Sequence, residues 1–291
     1  MDGRSVVVAG RWKIDAMLGR NGLGSVYTAF HIDTGKRAAI KVLKISDVDS
    51  HVRMRVKIES AALSGLSSSH TVRLLDFGED ENFLFLAYEV VDGTTLDSLV
   101  PLPVQSALTV AACVADVLAD AHQSGFIHRD IKPSNIIVPR DSGGNPAFSS
   151  AMLLDFGVAG LLDNQSRGRL HTAPGQLFGT PVYMAPEQIL AAPQTAAVDT
   201  YGLGAVLYAM IYGHPPFKGR DIATLFMRTL QDQVVFPPVP FLPAQVRSFI
   251  ERCLSKDPKQ RPQDGLDART ELDLLLGDRD DKRRGPTSIP G

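Results

Sequence analysis

Cysteine is scarce in this sequence, and long apolar runs and an excess of charge of one sign are both absent. Cys113 and Cys253 are the only cysteines among 291 residues. Each lies in an apolar, helix-like stretch, so buried free thiols are favoured over a bridge, which fits a reducing compartment. A disulfide scaffold is therefore not expected, and no cluster of Cys and His has the spacing of a metal site.

The charge balance and the apolar runs also limit the partners. The formal net charge is −2 and the isoelectric point is about 6.4, which favours neither a nucleic acid nor an anionic membrane as a partner. The longest apolar stretch, residues 201–213, suits a buried core helix and is too short for a membrane span. The apolar run near the N-terminus is too short for a signal peptide. We therefore expect a cytoplasmic protein without a membrane segment, and a longer parent with an anchor after residue 291 is left open.

What the sequence does have is an ordinary globular balance, with 44% hydrophobic and 21% charged residues. Short apolar segments separated by turn signals predict strands at residues 14–18, 25–31, 37–43, 72–77 and 83–90. A helix-like pattern interrupts these strands at residues 50–66. Helical patterns follow at residues 103–124 and dominate residues 185–276.

This order of segments predicts an α+β protein with two parts. A small β-rich domain covers residues 12–91, and a larger α-rich domain covers residues 92–276, with the joint near Val91 to Gly93. Residues 140–150 predict a turn-rich insertion on the surface. The polar residues 277–291 predict a disordered tail.

The stretch LGRNGLGSVY, residues 18–27, has the composition of a phosphate-binding loop. Glycine lets backbone amides approach an anion and permits positive φ angles. The spacing is Gly19-x-Asn21-x-x-Gly24, followed by Val26, so asparagine stands where such a loop has its second glycine. Asn is a mild replacement, because it tolerates the left-handed region. A hairpin turn without a ligand is the alternative.

One lysine lies inside the next apolar strand, AAIKVL, residues 38–43. Lys41 has two alternatives, because a lysine in such a strand either extends its ammonium to solvent or reaches inward to a phosphate. In the second case it needs a counter-ion, and Glu59 on the following helical pattern is the candidate.

The stretch FIHRDIKPSNIIV, residues 126–138, places six polar residues between two apolar runs, a set that suits group transfer. Asp130 can accept a proton from a hydroxyl. Lys132 can stabilise anionic charge on a transferring group, and Asn135 can offer an oxygen to a hard cation. Asp155, in a DFG triplet after another apolar strand, is a second candidate metal ligand.

These motifs, in this order, resemble a eukaryotic-type (Hanks-type) serine/threonine protein kinase, and the resemblance covers residues 12–275. It implies a two-lobed kinase fold with ATP bound between the lobes and magnesium, or manganese, as the metal. The APEQ sequence at residues 185–188 is typical of bacterial members. Lys132-Pro133-Ser134 and Thr180 imply serine and threonine hydroxyls of proteins as the substrates.

The resemblance also implies a role for each matched position. For the nucleotide these are Leu18, Gly19, Gly22, Gly24 and Val26 in the phosphate loop, Ala39 at the adenine, Tyr88 at the back of the adenine pocket, Glu89 and Val91 as backbone partners of adenine, and Lys41 at the α- and β-phosphates, paired with Glu59. For the chemistry they are Asp130 as base, Lys132 at the γ-phosphate, and Asn135 and Asp155 as magnesium ligands.

Three further matches are structural in the family. Residues 179–187 resemble the end of an activation segment, Asp199 matches an aspartate that braces the catalytic loop, and Arg261 matches an arginine that pairs with Glu187. Arg129 implies a phosphate on the activation segment, for which Thr172 is the first candidate and Ser166 the second.

The sequence leaves two alternatives to an active protein kinase. A catalytically silent scaffold would bind ATP without turnover, but such pseudokinases typically lack one of Lys41, Asp130, Asn135 and Asp155, and all four are present. A small-molecule phosphotransferase of similar fold would be expected to lack the motif at residues 179–187. Similar bacterial kinases form homodimers, although no stretch of this sequence argues for one.

Overall fold

The computed structural model describes residues 6–21, 24–45, 65–80, 83–154, 181–239 and 242–283, except the side chains of residues 20, 21 and 278–283. The chain forms two compact units. The first comprises Met1–Ser67, Thr71–Asp92 and Leu154–Thr180. The second comprises Ser68–His70, Gly93–Leu153 and Pro181–Gly291. The predicted helix at residues 50–66 falls almost entirely outside the described residues.

The first unit is built on an antiparallel sheet of six strands in the order β1-β2-β3-β4-β6-β5. The strands are β1 (Val7–Val8), β2 (Trp12–Asn21), β3 (Gly24–His31), β4 (Arg37–Lys44), β5 (Leu74–Asp80) and β6 (Phe83–Glu89). The five predicted strands are therefore confirmed. The additional strand β1 pairs Val8 with Trp12 at the edge of the sheet, ahead of residue 12.

The two faces of this sheet carry different apolar clusters, because successive residues of a strand point to opposite faces. On β4, Ile40 belongs to a cluster with Trp12 and Phe85. Leu43 belongs to a second cluster with Leu86. Both faces of β4 are thus packed, which explains why this strand reads as an almost continuous apolar run.

The second unit is mainly helical. Its helices are α1 (Val104–Gln123), α2 (Pro186–Ile189), α3 (Ala197–Tyr212), α4 (Ile222–Gln231), α5 (Ala244–Cys253) and α6 (Gly265–Arg283). A three-stranded sheet, β7 (Gly93–Thr95), β8 (Ile136–Pro139) and β9 (Met152–Leu153), accompanies them. The α+β class and the two-lobed kinase architecture are therefore confirmed, with a β-rich first lobe and an α-rich second lobe.

Helices α1 and α3 form the core of the second unit, and all but the last residue of α3 are buried. Within the described part of the chain, α1 is the one helix long and apolar enough to cross a membrane by length and composition. Its most apolar window is 61% buried inside the unit, as in a core helix. Cys113 on α1 and Cys253 on α5 are buried free thiols, as predicted.

Two surface segments show how local chemistry shapes the second unit. In the predicted insertion, Arg140 bridges to Pro146, and Asp141 Oδ1 accepts hydrogen bonds from the amides of Gly143 and Asn145, which closes an exposed turn. Helix α6 runs to Arg283, beyond residue 276, where the sequence prediction placed the start of a disordered tail. The helix continues because the residues after 276 include helix-forming charged side chains, and the first proline comes only at position 286.

Candidate active site

The residues predicted to contact adenine and phosphate share one face of the six-stranded sheet. The register pairs Val26 with Lys41, Lys41 with Leu86, and Ala39 with Tyr88. Directly paired residues of antiparallel strands share a face, as do residues two positions apart on one strand. Val26, Ala39, Lys41 and Tyr88 therefore lie on the face that carries Leu86.

Lys41 is buried inside β4, with 4% of its surface exposed. An ammonium that extended to solvent would be far more exposed, so burial favours the inward alternative. A buried positive charge is stable only when it is paired or hydrogen-bonded. Glu59, the predicted counter-ion, lies outside the described residues.

The hairpin between β2 and β3 contains the predicted phosphate loop, and its two described glycines differ in their surroundings. A side chain added at Gly19 would meet no atom within 4 Å, and the neighbouring Leu18 is 60% exposed. A Cβ added at Gly24 would lie 2.7 Å from Leu43 Cδ2 and 3.0 Å from Val42 O. Gly24 is therefore required for strand packing, whereas Gly19 leaves open space above the backbone.

Asn21, the residue in place of a glycine, is the last residue of β2 and pairs with Gly24 across the hairpin. Its backbone is strand backbone, which any residue adopts, so tolerance of the left-handed region is not what this position requires. The asparagine is therefore compatible with the hairpin. Gly22 lies outside the described residues.

The end of β6 carries the two predicted backbone partners of adenine. The Glu89 N–H donates to the carbonyl oxygen of Arg73 at 3.0 Å. The Glu89 side chain accepts a bond from the Arg73 N–H at the same distance. The Glu89 N–H is therefore used within the first unit and is not available to a ligand. Val91 follows the end of the strand and is half-buried.

In the second unit, Asp130, Lys132 and Asn135 converge on one carboxylate. Lys132 Nζ donates to Asp130 Oδ2 at 2.6 Å, and Asn135 Nδ2 donates to the same oxygen at 3.0 Å. Asn135 Nδ2 also donates to the Asp130 carbonyl at 2.8 Å. Asp130 Oδ1 accepts no hydrogen bond within the described part of the chain, and 28% of the side chain is exposed. One carboxylate oxygen is thus held, and the other is open to a substrate.

A metal ion would find part of its ligand set here. Asn135 uses its amide nitrogen on Asp130, which leaves its Oδ1 as an oxygen ligand for a hard cation. The second predicted ligand, Asp155, lies outside the described residues. Among the residues that are described, no group of three His, Cys, Asp or Glu side chains could hold a metal ion. Of the two predicted metal ligands, Asn135 is therefore the one that the described residues place beside Asp130.

The backbone around His128, Arg129 and Asp130, which we call the catalytic loop, is strained at Arg129 and is held by hydrogen bonds from distant residues. Arg129 has a φ of 65°, which costs a non-glycine residue about 1–2 kcal/mol. Its N–H donates to Asp199 Oδ1 at 2.6 Å, and its carbonyl accepts a bond from Gln188 Nε2 at 2.8 Å. The N–H of His128 donates to Asp199 Oδ2 at 2.7 Å. The predicted bracing by Asp199 is confirmed, and these bonds hold the backbone from which Asp130 projects.

The predicted pair of Glu187 and Arg261 is also present. Two guanidinium nitrogens donate to the two carboxylate oxygens at 2.6 and 2.9 Å, and both side chains are buried. The guanidinium also lies 4.9 Å from the ring centroid of Tyr201. Burial raises the pKa of Tyr201 well above its usual value, so its hydroxyl stays neutral. This pair ties the α2 region to the segment before α6.

The sequence analysis missed two residues that support the catalytic loop. Gln188 was noted only as part of the bacterial APEQ pattern, yet it bonds to Arg129. His122 on α1 bonds to Asp199, and nothing marked it except its place in an apolar helix just before the catalytic motif. The activation-segment candidates Ser166, Thr172 and Thr180 lie outside the described residues.

Comparisons with known proteins agree with this geometry. The protein kinase domain family matches residues 12–269. Serine/threonine-protein kinase PkaA of Streptomyces coelicolor is 34% identical over 273 residues, which cover 88% of this chain and 48% of that protein. Serine/threonine-protein kinase PkaB of the same organism is 36% identical over 261 residues, which cover 87% of this chain and 60% of PkaB. Serine/threonine-protein kinase pkn3 of Myxococcus xanthus is 33% identical over 97% of this chain and 52% of that protein.

This chain spans about half the length of these curated relatives. The family match nevertheless covers most of the chain, from the first long strand to the start of α6. The chain therefore belongs to the protein kinase domain family, among the eukaryotic-type serine/threonine kinases with bacterial relatives.

Proposed function

We propose that this chain is an ATP-dependent protein kinase domain that transfers the γ-phosphoryl group to serine and threonine hydroxyls of proteins. The observation that carries the proposal is the asymmetric Asp130 carboxylate. Lys132 and Asn135 hold Oδ2, while Oδ1 is open. A silent scaffold has no use for such a base, and the named relatives are kinases.

The chemistry follows from this arrangement. Asp130 Oδ1 accepts the proton of the substrate hydroxyl as its oxygen bonds to the γ-phosphorus. The bond between the γ-phosphorus and the β–γ bridging oxygen breaks, and ADP leaves with that oxygen. Lys132, only 8% exposed, offsets negative charge on the transferring group. Its bond to Oδ2 also keeps Oδ1 turned away from the lysine.

The first unit supplies the nucleotide contacts in this proposal. Lys41 binds the α- and β-phosphates, and the loop that contains Gly19 covers them with backbone amides. Ala39 and Tyr88 lie on the same face as Lys41 and form the apolar wall for adenine. The Glu89 carbonyl and Val91 provide polar contacts at the edge of the base.

A divalent metal completes the set, and we propose magnesium, with manganese as a substitute. Asn135 and Asp155 would hold it, and such an ion neutralises phosphate charge and orients the phosphates. Removal of divalent metal with a chelator should abolish transfer, and calcium should restore it less well than magnesium, because magnesium requires a compact octahedral ligand set.

The activation segment is the proposed site of regulation. The Arg129 Nε is buried and makes no hydrogen bond among the described residues. An unpaired guanidinium nitrogen at this position suits a phosphate, so we propose autophosphorylation at Thr172, or at Ser166 if Thr172 is not used. Phosphopeptide mapping after incubation with ATP tests this, and no phosphate on residues 158–180 would contradict it.

We also propose a cytoplasmic location, which the buried free thiols of Cys113 and Cys253 fit.

The test of function is phosphate transfer to a basic protein substrate in the presence of ATP and magnesium. Asp130→Asn keeps the size of the side chain and removes the base, so transfer should fall by about 10²- to 10⁴-fold. Asp141→Asn, in the exposed turn of the same unit, is the matched control and should retain activity. Absence of transfer by the native chain when ATP is bound, with and without an activating kinase, would contradict the proposal.

A further inference from the structure

The N-terminus of the last helix, α6, contacts the catalytic loop through a short chain of buried polar groups. The Gly265 N–H donates to His122 Nδ1 at 2.9 Å. His122 Nε2 lies 2.9 Å from Asp199 Oδ2. The side chains of His122 and Asp199 are 3% and 0% exposed, respectively.

The first of these bonds determines the tautomer of the imidazole. A backbone N–H can only donate, so Nδ1 of His122 must be the acceptor. The proton of the neutral ring is therefore on Nε2, which donates it to Asp199. The Gly265 N–H and the Asp199 carboxylate thus require the same tautomer, and the bond from α6 fixes the ring in the orientation in which Nε2–H meets the carboxylate.

The Asp199 carboxylate connects His122 to the catalytic loop. Asp199 Oδ2 accepts the bond from His122 and also the bond from the His128 N–H at 2.7 Å. Its Oδ1 accepts the bond from the strained Arg129 peptide at 2.6 Å. The orientation of one buried carboxylate therefore depends on α6 on one side and sets the loop backbone on the other.

Packing at the start of α6 is tight enough to make this contact sensitive to the position of the helix. A Cβ added at Gly265 would lie 2.2 Å from the backbone nitrogen of Ala119 and 2.4 Å from the carbonyl carbon of Leu118. The helix backbone thus lies directly on α1 at this point. Further along α6, Arg269 donates to the Ala112 carbonyl and to Asp116, which keeps the rest of the helix docked.

We propose that His122 is a positioning residue through which the start of α6 controls the catalytic loop. We call Gly265, His122 and Asp199 the α6 relay. A shift of α6 away from α1 would release His122 Nδ1, free the imidazole to rotate away from Asp199, and loosen the backbone that carries Asp130. The catalytic consequence rests on the proposed kinase function, whereas the structural link does not.

Two substitutions of His122 separate the two ends of the relay. In His122→Asn, the amide oxygen can take the place of Nδ1 and keep the Gly265 bond, but the side chain does not reach Asp199. In His122→Gln, the amide N–H can take the place of Nε2 and donate to Asp199 whatever α6 does. We expect kcat to fall about 10- to 100-fold in His122→Asn, with the KM for ATP unchanged, because misplaced catalytic groups lose this much. His122→Gln should retain most of kcat.

The decisive measurement is a double-mutant cycle with Gly265→Ala, which pushes the start of α6 off α1. Gly265→Ala should lower kcat when His122 is present and should have little effect in the His122→Gln background, where no bond from α6 orients the group that donates to Asp199. Gly219→Ala is the matched control, since a Cβ there lies 2.4 Å from the Leu225 nitrogen, away from the relay. It should leave kcat unchanged. Equal losses from Gly265→Ala in both backgrounds would overturn the proposal.

Amide hydrogen exchange at His128 and Arg129 provides a readout that does not need activity. Exchange should accelerate in His122→Asn and Gly265→Ala, and should stay slow in His122→Gln and in the double variant. Unchanged exchange in the first two variants would also overturn the proposal. If the native chain transfers no phosphate, the proposed function fails. The amide exchange rates of His128 and Arg129 still test whether α6 holds the catalytic loop through His122. If His122→Asn does not fold, Gly265→Ala with and without His122→Gln remains sufficient.

Discussion

Glu187 and Arg261 are 74 residues apart in sequence and form a buried, two-bond ion pair in the second unit. The arginine side chain is fully buried, and the glutamate side chain is 8% exposed. Arg261 also donates to the carbonyl oxygens of Ser255, Lys256 and Ala197. Arg261 therefore connects α2, the start of α3 and the segment after α5.

Loss of one partner of this pair should destabilise the second unit strongly. Glu187→Gln leaves the Arg261 charge buried without its counter-ion, and we expect a loss of about 3–5 kcal/mol in the free energy of unfolding. Arg247 and Glu251 form an exposed pair on α5, and Arg247→Gln should cost about 1 kcal/mol or less. Denaturant unfolding of both variants makes the comparison. Equal losses would show that the buried pair has no special structural role.

Replacement of Lys41 should separate folding from catalysis. Lys41→Met keeps a long side chain buried on β4, so the variant should still fold, with little change in melting temperature. If Lys41 binds phosphates, kcat/KM for ATP should fall about 100- to 1,000-fold. Lys44→Met, at the exposed end of the same strand, is the control and should change neither quantity. A variant that lost stability and activity together would indicate a structural role for Lys41.

The two glycines of the hairpin should respond differently to alanine. Gly24→Ala forces a Cβ against Leu43 and the backbone of Val42, so we expect a loss of about 1–3 kcal/mol in stability. Gly19→Ala meets no protein atom, so stability should be retained and only the KM for ATP should rise, because the Cβ occupies space the phosphates approach. Thermal unfolding and ATP titration measure the two effects. An unchanged KM in Gly19→Ala would place the phosphates elsewhere.

The thiols should be inert in the folded protein. Burial, the largest cause, raises the pKa of Cys113 to about 11 and that of Cys253 to about 12, from an ordinary value of 9.0. Because each thiol has a higher pKa in the folded protein than in the unfolded chain, its contribution to the free energy of unfolding is complete below pH 9. This contribution is lost as the pH rises through the folded-state pKa values of about 11 and about 12. At pH 8 a thiol reagent should therefore react with neither cysteine until the chain unfolds.

The raised pKa of Cys253 is also tested by measuring the free energy of unfolding of the native protein and of Cys253→Ala between pH 8 and pH 10.5. The native chain should lose stability more steeply above pH 9, because its buried thiol must keep a proton that the unfolded thiol releases. Parallel curves for the two proteins, or rapid modification of the native chain at pH 8, would contradict the assigned burial.

The catalytic chemistry could be predicted from sequence because its residues are close together in the chain. Asp130, Lys132 and Asn135 span six positions, and their side chains meet on one carboxylate. The alternation of apolar residues likewise predicted the strands that carry Ala39, Lys41 and Tyr88. Short-range patterns of this kind need no knowledge of which segments of the chain come together.

The tertiary structure alone decided how the catalytic loop is held. Asp199 is 71 residues from His128, and Gln188 is 59 residues from Arg129. Gly265 lies 143 residues from His122, and no local pattern joins a glycine at a helix start to a histidine on another helix. The strained φ of Arg129 depends on these distant hydrogen bonds, because only surrounding structure keeps such a conformation in place. Local residue chemistry therefore determined which groups could react, whereas long-range packing decided which of their atoms are held and which remain open.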